Sequence, residues 1–312
     1  MSIFETIKTY QKVCLYRHVN PDFDAYGSQL GMAHILRQHF PNIKIMLKGQ
    51  RNEELLTKLE EDYIWDSFED VSDALAIVLD TANHERIDGE DYAQCAGRIK
   101  IDHHLIVDSF GDINIEEPTK SSTSQIVTEL YQAYFKEPMD CQAATCLYFG
   151  MIADSNRFLF RSTDGSTLKA GAYLLDCGID MENIYQRMYL RKEIDLRINR
   201  FILNRYESTA SGIAYYTLNQ EDLDELGITR ERGSDYVNML SNIQEFRVWM
   251  AITQNSEANN WRVSLRSRDV SVNKVAEQFN GGGHQLASGA TLESIEDLPK
   301  LIEVIEEQMK RD

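Results

Sequence analysis

The sequence predicts an α/β fold: a mostly parallel sheet with helices on both faces, joined by a helical connector to a smaller α+β carboxy-terminal domain. Three observations carry this expectation. Short apolar, β-branched runs alternate with helical stretches through the first part of the chain. The texture changes beyond about residue 206, where strand-like alternation takes over. The length of 312 residues suits two domains, at roughly 100–200 residues each. The expected boundaries are a first domain over 1–180, a helical connector over 181–206 and a second domain over 207–312.

The first strand is Val13-Cys14-Leu15-Tyr16, followed by a helix from about Ala25 to Phe40 and a strand from Ile43 to Leu47. Ala74 to Leu79 and Arg98 to Ile101 read as further buried strands. Ser122 with Gln125 three residues on reads as a capping box opening a helix to about Phe135. Cys141 to Ala153 and Gly165 to Asp176 continue the helical pattern. From Asp180 to Tyr206 the chain is polar, helical in period and free of turn signals, which suits a connector. Ile213 to Leu218, Phe246 to Thr253 and Trp261 to Arg268 alternate as strands, and Val270 to Phe279 and Ser294 to Lys310 read as helices.

Composition narrows the function. Fifty acidic against 32 basic side chains give a net charge of −18, which excludes a protein that tracks a long nucleic acid along a basic stripe. The window from Glu53 to Asp73 holds nine acids and one base, Lys58, and reads as a solvated helical face. No apolar run is long enough to span a membrane. Met1-Ser2-Ile3-Phe4-Glu5 lacks a basic region followed by an apolar one, so a cytoplasmic location is expected. The five cysteines form no Cys-x-x-Cys pair and read as buried, reduced thiols.

Four segments place chemistry at strand or helix ends. The first strand runs into His18-Val19-Asn20-Pro21-Asp22-Phe23-Asp24, an imidazole and two carboxylates in a loop before a helix. Taken alone, Asp24 as a helix cap and Asp22 in an Asx-turn would explain that loop. Asp80 follows the strand ending at Leu79, Asp102-His103-His104 follows the next, and Asp154 follows the helix ending at Ala153. An open α/β sheet gathers its ligand groups beyond the carboxyl ends of its strands. Carboxylates gathered there cannot all stay ionised without positive charge, which divalent cations supply. Carboxylate and imidazole ligands without thiolate suit Mn²⁺, with Mg²⁺ or Co²⁺ as substitutes. The residues alone leave open which histidine of the pair binds metal.

These four segments resemble the motifs of the DHH phosphoesterase superfamily, named for the sequence present here as Asp102-His103-His104, and the resemblance spans essentially the whole chain. It implies one metal held by His18, Asp22 and Asp80, and a second held by Asp24, Asp80, His103 and Asp154, with Asp80 bridging. It further implies that Asp102 orients an imidazole and that His104 faces the substrate phosphate, so that Asp80, Asp102 and His104 carry the catalytic roles.

In the smaller domain, the strand Trp261 to Arg268 sets Arg262, Ser264, Arg266 and Arg268 on one face and Val263 and Leu265 on the other. Guanidinium groups in a row suit bidentate phosphate binding. Gly281-Gly282-Gly283-His284 follows as a loop whose backbone can approach a ligand closely. Together they resemble the nucleotide-binding signature of the DHH-associated carboxy-terminal domain, which implies that Arg262, Ser264, Arg266, Gly281, Gly282, Gly283 and His284 grip substrate. Within the superfamily, the length and this signature point to the nanoRNase and pAp-phosphatase branch. Its members degrade short RNA oligonucleotides, cleave linear dinucleotides such as pApA, or dephosphorylate pAp. The resemblance implies two divalent cations, a site between the two domains and a homodimer, although no coiled-coil pattern or apolar stripe demands one. The alternatives are a manganese pyrophosphatase or exopolyphosphatase, expected to carry lysine-rich clamps in place of the glycine signature, and a nucleotide-sensing protein without catalysis.

Overall fold

The computed structural model describes residues 2–62 and 64–312; Met1 and Tyr63, which belong to the amino-terminal and acidic-window readings, lie outside them. The chain forms two compact units that divide between Leu190 and Arg191.

The first unit runs α1 (Ile3–Ile7), β1 (Lys12–Tyr16), α2 (Phe23–His39), β2 (Lys44–Leu47), α3 (Glu53–Leu59), β3 (Leu75–Leu79), β4 (Gly97–Asp102), β5 (Ile113–Glu116), α4 (Thr123–Tyr134), α5 (Cys141–Asp154), α6 (Gly165–Asp176) and α7 (Met181–Tyr189). Its sheet has the order β2-β1-β3-β4-β5 and every pairing is parallel. The order reverses direction at β1, so the β1 and β3 carboxyl ends flank a topological switch point, where such sheets open a ligand crevice. β3, Leu-Ala-Ile-Val-Leu, is buried along its whole length, as a central parallel strand must be.

Helices α2, α4 and α5 pack on one face over Val13, Leu15, Leu75, Ile77 and Ile99. The other face, with Cys14, Tyr16, Ala76 and Val78, is covered by Phe68, Phe110 and the short 3₁₀ helix that carries Tyr92. Helices α2 and α5 are buried on every side, from Asp24 to Leu36 and from Ala143 to Ile152, so neither shows a solvent stripe over those residues. They cross closely because both carry glycine at the crossing: a Cβ on Gly27 would lie 2.5 Å from the Cys146 carbonyl oxygen and 2.9 Å from the Gly150 nitrogen.

The second unit runs α8 (Glu193–Leu203), β6 (Glu207–Ser208), β7 (Ile213–Leu218), α9 (Gln220–Leu226), α10 (Arg230–Ser234), β8 (Val248–Asn255), β9 (Asn260–Ser267), α11 (Val272–Ala276), β10 (Gly282–His284), β11 (Ala287–Leu292) and α12 (Leu298–Arg311). Its sheet has the order β10-β11-β9-β8-β7-β6 and mixed pairing. α11 and α12 pack on one face through Val275, Leu301 and Ile305 against Met250, Val263 and Leu265. Ile198 and Ile202 of α8, with Leu223 and Leu240, pack on the other against Tyr216, Trp249 and Ala251.

The helical pattern expected over 181–206 is present as two helices, α7 in the first unit and α8 in the second, separated at Leu190, Arg191 and Lys192. The cysteines are free, as expected, but only Cys14, Cys95 and Cys146 are buried; Cys141 is exposed at the start of α5 and Cys177 is half-buried. Among the described residues no helix is long and apolar enough to cross a membrane.

Candidate active site

The chain leaves β1 at Tyr16 and reaches α2 through the His18 to Asp22 loop. Asp22, not Asp24, is the helix cap: its Oδ1 accepts from the Asp24 and Ala25 amides at 2.9 and 3.0 Å. Its Oδ2 lies 3.9 Å from His18 Nε2, so one carboxylate serves both the cap and the basin. His18 donates through Nδ1 to the Val19 carbonyl at 2.8 Å, which leaves Nε2 for the carboxylates.

Asp80 follows β3 with φ at +53°, a left-handed conformation unusual outside glycine, and its amide donates to the Ile101 carbonyl of β4 at 3.0 Å. This turn sets the side chain, almost fully buried, between two imidazoles. Oδ2 lies 3.5 Å from His18 Nε2, and Oδ1 lies 3.5 Å from His103 Nε2. His103 Nε2 also lies 3.2 Å from Asp154 Oδ2 and 3.9 Å from Asp24 Oδ2. All six expected ligand residues therefore share one basin. They fall into His18, Asp22 and Asp80 on one side and Asp24, His103 and Asp154 on the other, each a group able to hold a metal ion. His104 joins Asp80 and His103 in a third such group, and its Nδ1 lies 2.7 Å from Asp102 Oδ1.

The electrostatics fit cations. Burial raises the Asp24 pKa well above the usual range, and the Asp80 and Asp154 charges add to it. Burial and the Asp80 and Asp22 charges raise Asp154 too, against the pull of its His103 bond. For Asp80, burial works upward, but the His18 bond and the surrounding imidazoles bring the pKa down to about 2. For His103, burial works downward, but the Asp154 bond and the carboxylate charges push it up to about 10. Carboxylates whose pKa values are raised by burial and by one another, beside an imidazole whose pKa is raised by them, mark a basin short of positive charge, which divalent cations can supply.

Two supports of the basin carry no local mark in the sequence. Lys100 of β4 is fully buried and donates to the Ala82 and Asp108 carbonyls at 3.0 and 2.8 Å and to Glu116 Oε1 at 2.7 Å, with Asp102 Oδ2 3.5 Å away. It ties the loop after Asp80 to the loop after His104. The other is the start of α4. Ser122 caps that helix through the Gln125 amide, but the Gln125 side chain reaches back to the Ser121 amide and hydroxyl instead of closing a capping box on Ser122. The Thr123 and Ser124 amides donate to Asp24 at 2.7 and 3.0 Å. Room for the Asp24 carboxylate comes from Gly150, where a Cβ would overlap the Ser124 hydroxyl and lie 2.6 Å from Asp24 Oδ1.

In the second unit, β9 alternates as expected, with Val263 and Leu265 buried and Arg262, Ser264 and Arg266 on the opposite face. Antiparallel pairing sets Ala251 and Gly289 beside Ser264, leaving small side chains between the two arginines. Arg262 donates to Thr291 Oγ1 at 2.5 Å, Arg266 to the Leu265 carbonyl at 2.8 Å, and Arg268 to the Ile243 carbonyl at 2.6 Å. Gly282–His284 is not a free loop but the edge strand β10, paired with β11 in the register Gly282 to Gly289 and His284 to Ala287. Gly281 is required there because a Cβ would run into the Gly289 carbonyl.

Known proteins resemble the chain along nearly its whole length. The DHH family, N-terminal domain, matches residues 12–151, and the DHHA1 domain matches residues 211–311. A Bacillus subtilis (strain 168) protein described as bifunctional oligoribonuclease and PAP phosphatase NrnA is 34% identical over 306 residues, covering 97% of this chain and 96% of that one. The chain belongs to the DHH family. A Streptococcus mutans protein described as a probable bifunctional oligoribonuclease and PAP phosphatase NrnA is 30% identical over 309 residues, covering 99% of this chain and 98% of that one. The crystal structure of an exopolyphosphatase-related protein from Bacteroides fragilis superposes with a TM-score of 0.83 at 25% identity, covering 99% of this chain and 95% of that one. As a member of the DHH family, the chain is a hydrolase of phosphate esters.

Proposed function

We propose that the protein is a Mn²⁺-dependent phosphoesterase that hydrolyses short oligoribonucleotides and linear dinucleotides such as pApA to mononucleotides and removes the 3′-phosphate of pAp. The observation that carries the reading is Asp80: one oxygen faces His18 and the other faces His103, each 3.5 Å away, so a single carboxylate serves two adjoining ligand groups. The names of the Bacillus subtilis and Streptococcus mutans relatives support the substrate class.

His18, Asp22 and Asp80 would hold one cation, and Asp24, Asp80, His103 and Asp154 the other. Bound cations supply the charge that neutralises the carboxylates, polarises phosphoryl oxygens and acidifies water. The residues around them do the rest. Asp102 holds the proton on His104 Nδ1, so the partly exposed ring has its other nitrogen for a phosphoryl oxygen. Within the second unit, Arg262, Ser264 and Arg266 on β9 and Gly281, Gly282, Gly283 and His284 at the β10 edge supply the groups that grip substrate phosphate. A local cationic face on an acidic protein suits a substrate with a few phosphates and no long nucleic acid. A cytoplasmic location and a homodimer are part of the same proposal.

The test is a parallel incubation with Mn²⁺ and pApA, pAp, a five-nucleotide RNA, pyrophosphate and a long DNA strand, with products separated by chromatography. Mononucleotides from pApA and the short RNA, and AMP from pAp, are expected. Orthophosphate from pyrophosphate alone would overturn the substrate assignment.

A further inference from the structure

The segment 120–124 touches three of the six proposed ligand residues without supplying a ligand itself. The Lys120 carbonyl lies 3.3 Å from His103 Nδ1, the Thr123 and Ser124 amides donate to the two oxygens of Asp24, and the Thr123 hydroxyl donates to Asp80 Oδ1 at 3.1 Å. Thr123 and Ser124 are fully buried. They are the first two residues of α4, whose amides have no carbonyl within the helix to bond. Here those amides take a carboxylate of the basin, 99 and 100 residues distant in the chain.

Thr123 differs from its neighbours in bonding two ligand carboxylates at once, its amide on Asp24 Oδ2 and its hydroxyl on Asp80 Oδ1. Those two oxygens are the ones that face His103 Nε2, at 3.9 and 3.5 Å. We infer that Thr123 is a positioning residue that fixes the separation and orientation of the Asp24 and Asp80 carboxylates and thereby sets the affinity of the cation site they share with His103 and Asp154. This rests on the two-cation reading given above. The hydroxyl restrains Asp80 through Oδ1, the oxygen that also faces His103 and His104, and so keeps Oδ2 toward His18. Valine has the shape of threonine but no donor, so it leaves Asp80 Oδ1 without that bond while the Asp24 contacts, made by the backbone, stay in place. Partners of this kind govern metal affinity by about 10–100-fold.

The experiment is titration of metal-free wild-type, T123V, T123S and T123A proteins with Mn²⁺, following free Mn²⁺ by electron paramagnetic resonance and melting temperature in parallel. The expected result is a loss of about 10–100-fold in the affinity of at least one Mn²⁺ in T123V and T123A, and affinity close to wild type in T123S, which keeps the donor. T123A covers the case in which the valine methyl disturbs folding. Equal Mn²⁺ affinity in wild type and in a folded T123V or T123A, with only the melting temperature lowered, would overturn the assignment and leave threonine a packing residue. A wild-type protein that takes up no Mn²⁺ would instead overturn the two-cation reading, and this inference with it.

Discussion

His104 Nδ1 lies 2.7 Å from Asp102 Oδ1, while the other oxygen of Asp102 lies 3.5 Å from the buried ammonium of Lys100. The three groups form a line from the interior of β4 to the partly exposed ring of His104, and none of them is a proposed metal ligand. Burial works to lower the His104 pKa, but the Asp102 bond and the Asp80 charge leave it raised. Replacing Asp102 with asparagine keeps the shape and removes the charge that holds the proton on Nδ1. D102N is expected to lower kcat for pApA by about 10–100-fold with Mn²⁺ content unchanged. Metal analysis beside steady-state kinetics checks this; normal kcat in D102N would separate Asp102 from the reaction.

Gly150 makes room for Asp24 at the crossing of α2 and α5. Gly150→Ala forces a methyl group against the Ser124 hydroxyl and Asp24 Oδ1, and neither is at the end of a long flexible chain. Destabilisation of about 1–3 kcal/mol by chemical denaturation is expected, as for an overpacked core, together with weakened Mn²⁺ binding.

Metal and pH are linked through His103. Its folded pKa, about 10, stands above the unfolded imidazole value of about 6.5, so its bonds stabilise the metal-free protein fully below the unfolded value. That contribution is lost as pH rises through the folded pKa. In chelator, the melting temperature is expected to fall between pH 7 and 10, whereas Mn²⁺, which needs the unprotonated ring, stabilises more as pH rises. Calorimetry at several pH values, with and without Mn²⁺, reads both slopes.

Arg266 sits half-buried on β9 with a backbone carbonyl as its hydrogen-bond acceptor, and burial pulls its pKa down. Arg266→Ala is expected to lower kcat/KM for pApA by about 10–100-fold, through KM, the scale of a lost charged hydrogen bond. Mn²⁺ binding stays as in wild type. An unchanged KM would remove the second unit's arginine face from substrate binding.

The fold was legible where burial is continuous or strictly alternating. β3 reads as an unbroken apolar run and β9 as alternation, and α5 announces its length by apolar residues on every side. The grouping of His18, Asp22, Asp24, Asp80, His103 and Asp154 was legible because each follows an apolar strand or helix, and parallel pairing brings strand ends to one edge of the sheet. Thr123 and Lys100 were not legible. Their roles depend on contacts with Asp24, Asp80 and Ala82, far away in the chain, and a serine- and threonine-rich helix start or a lysine in a strand carries no local mark of them. The Gly281 to His284 segment reads as a turn because glycine favours turns, and only its pairing with β11 makes it a strand.

In the proposed function, two cations sharing Asp80 drive hydrolysis of a short nucleotide substrate. The most direct test is stepwise addition of Mn²⁺ to metal-free protein while pApA hydrolysis and bound metal are measured together. No hydrolysis is expected without metal, activity is expected to rise to its plateau at two Mn²⁺ per chain, and Asp80→Ala is expected to show neither uptake of the second ion nor turnover. Full hydrolysis of pApA by metal-free protein, or by Asp80→Ala, would contradict the proposed function.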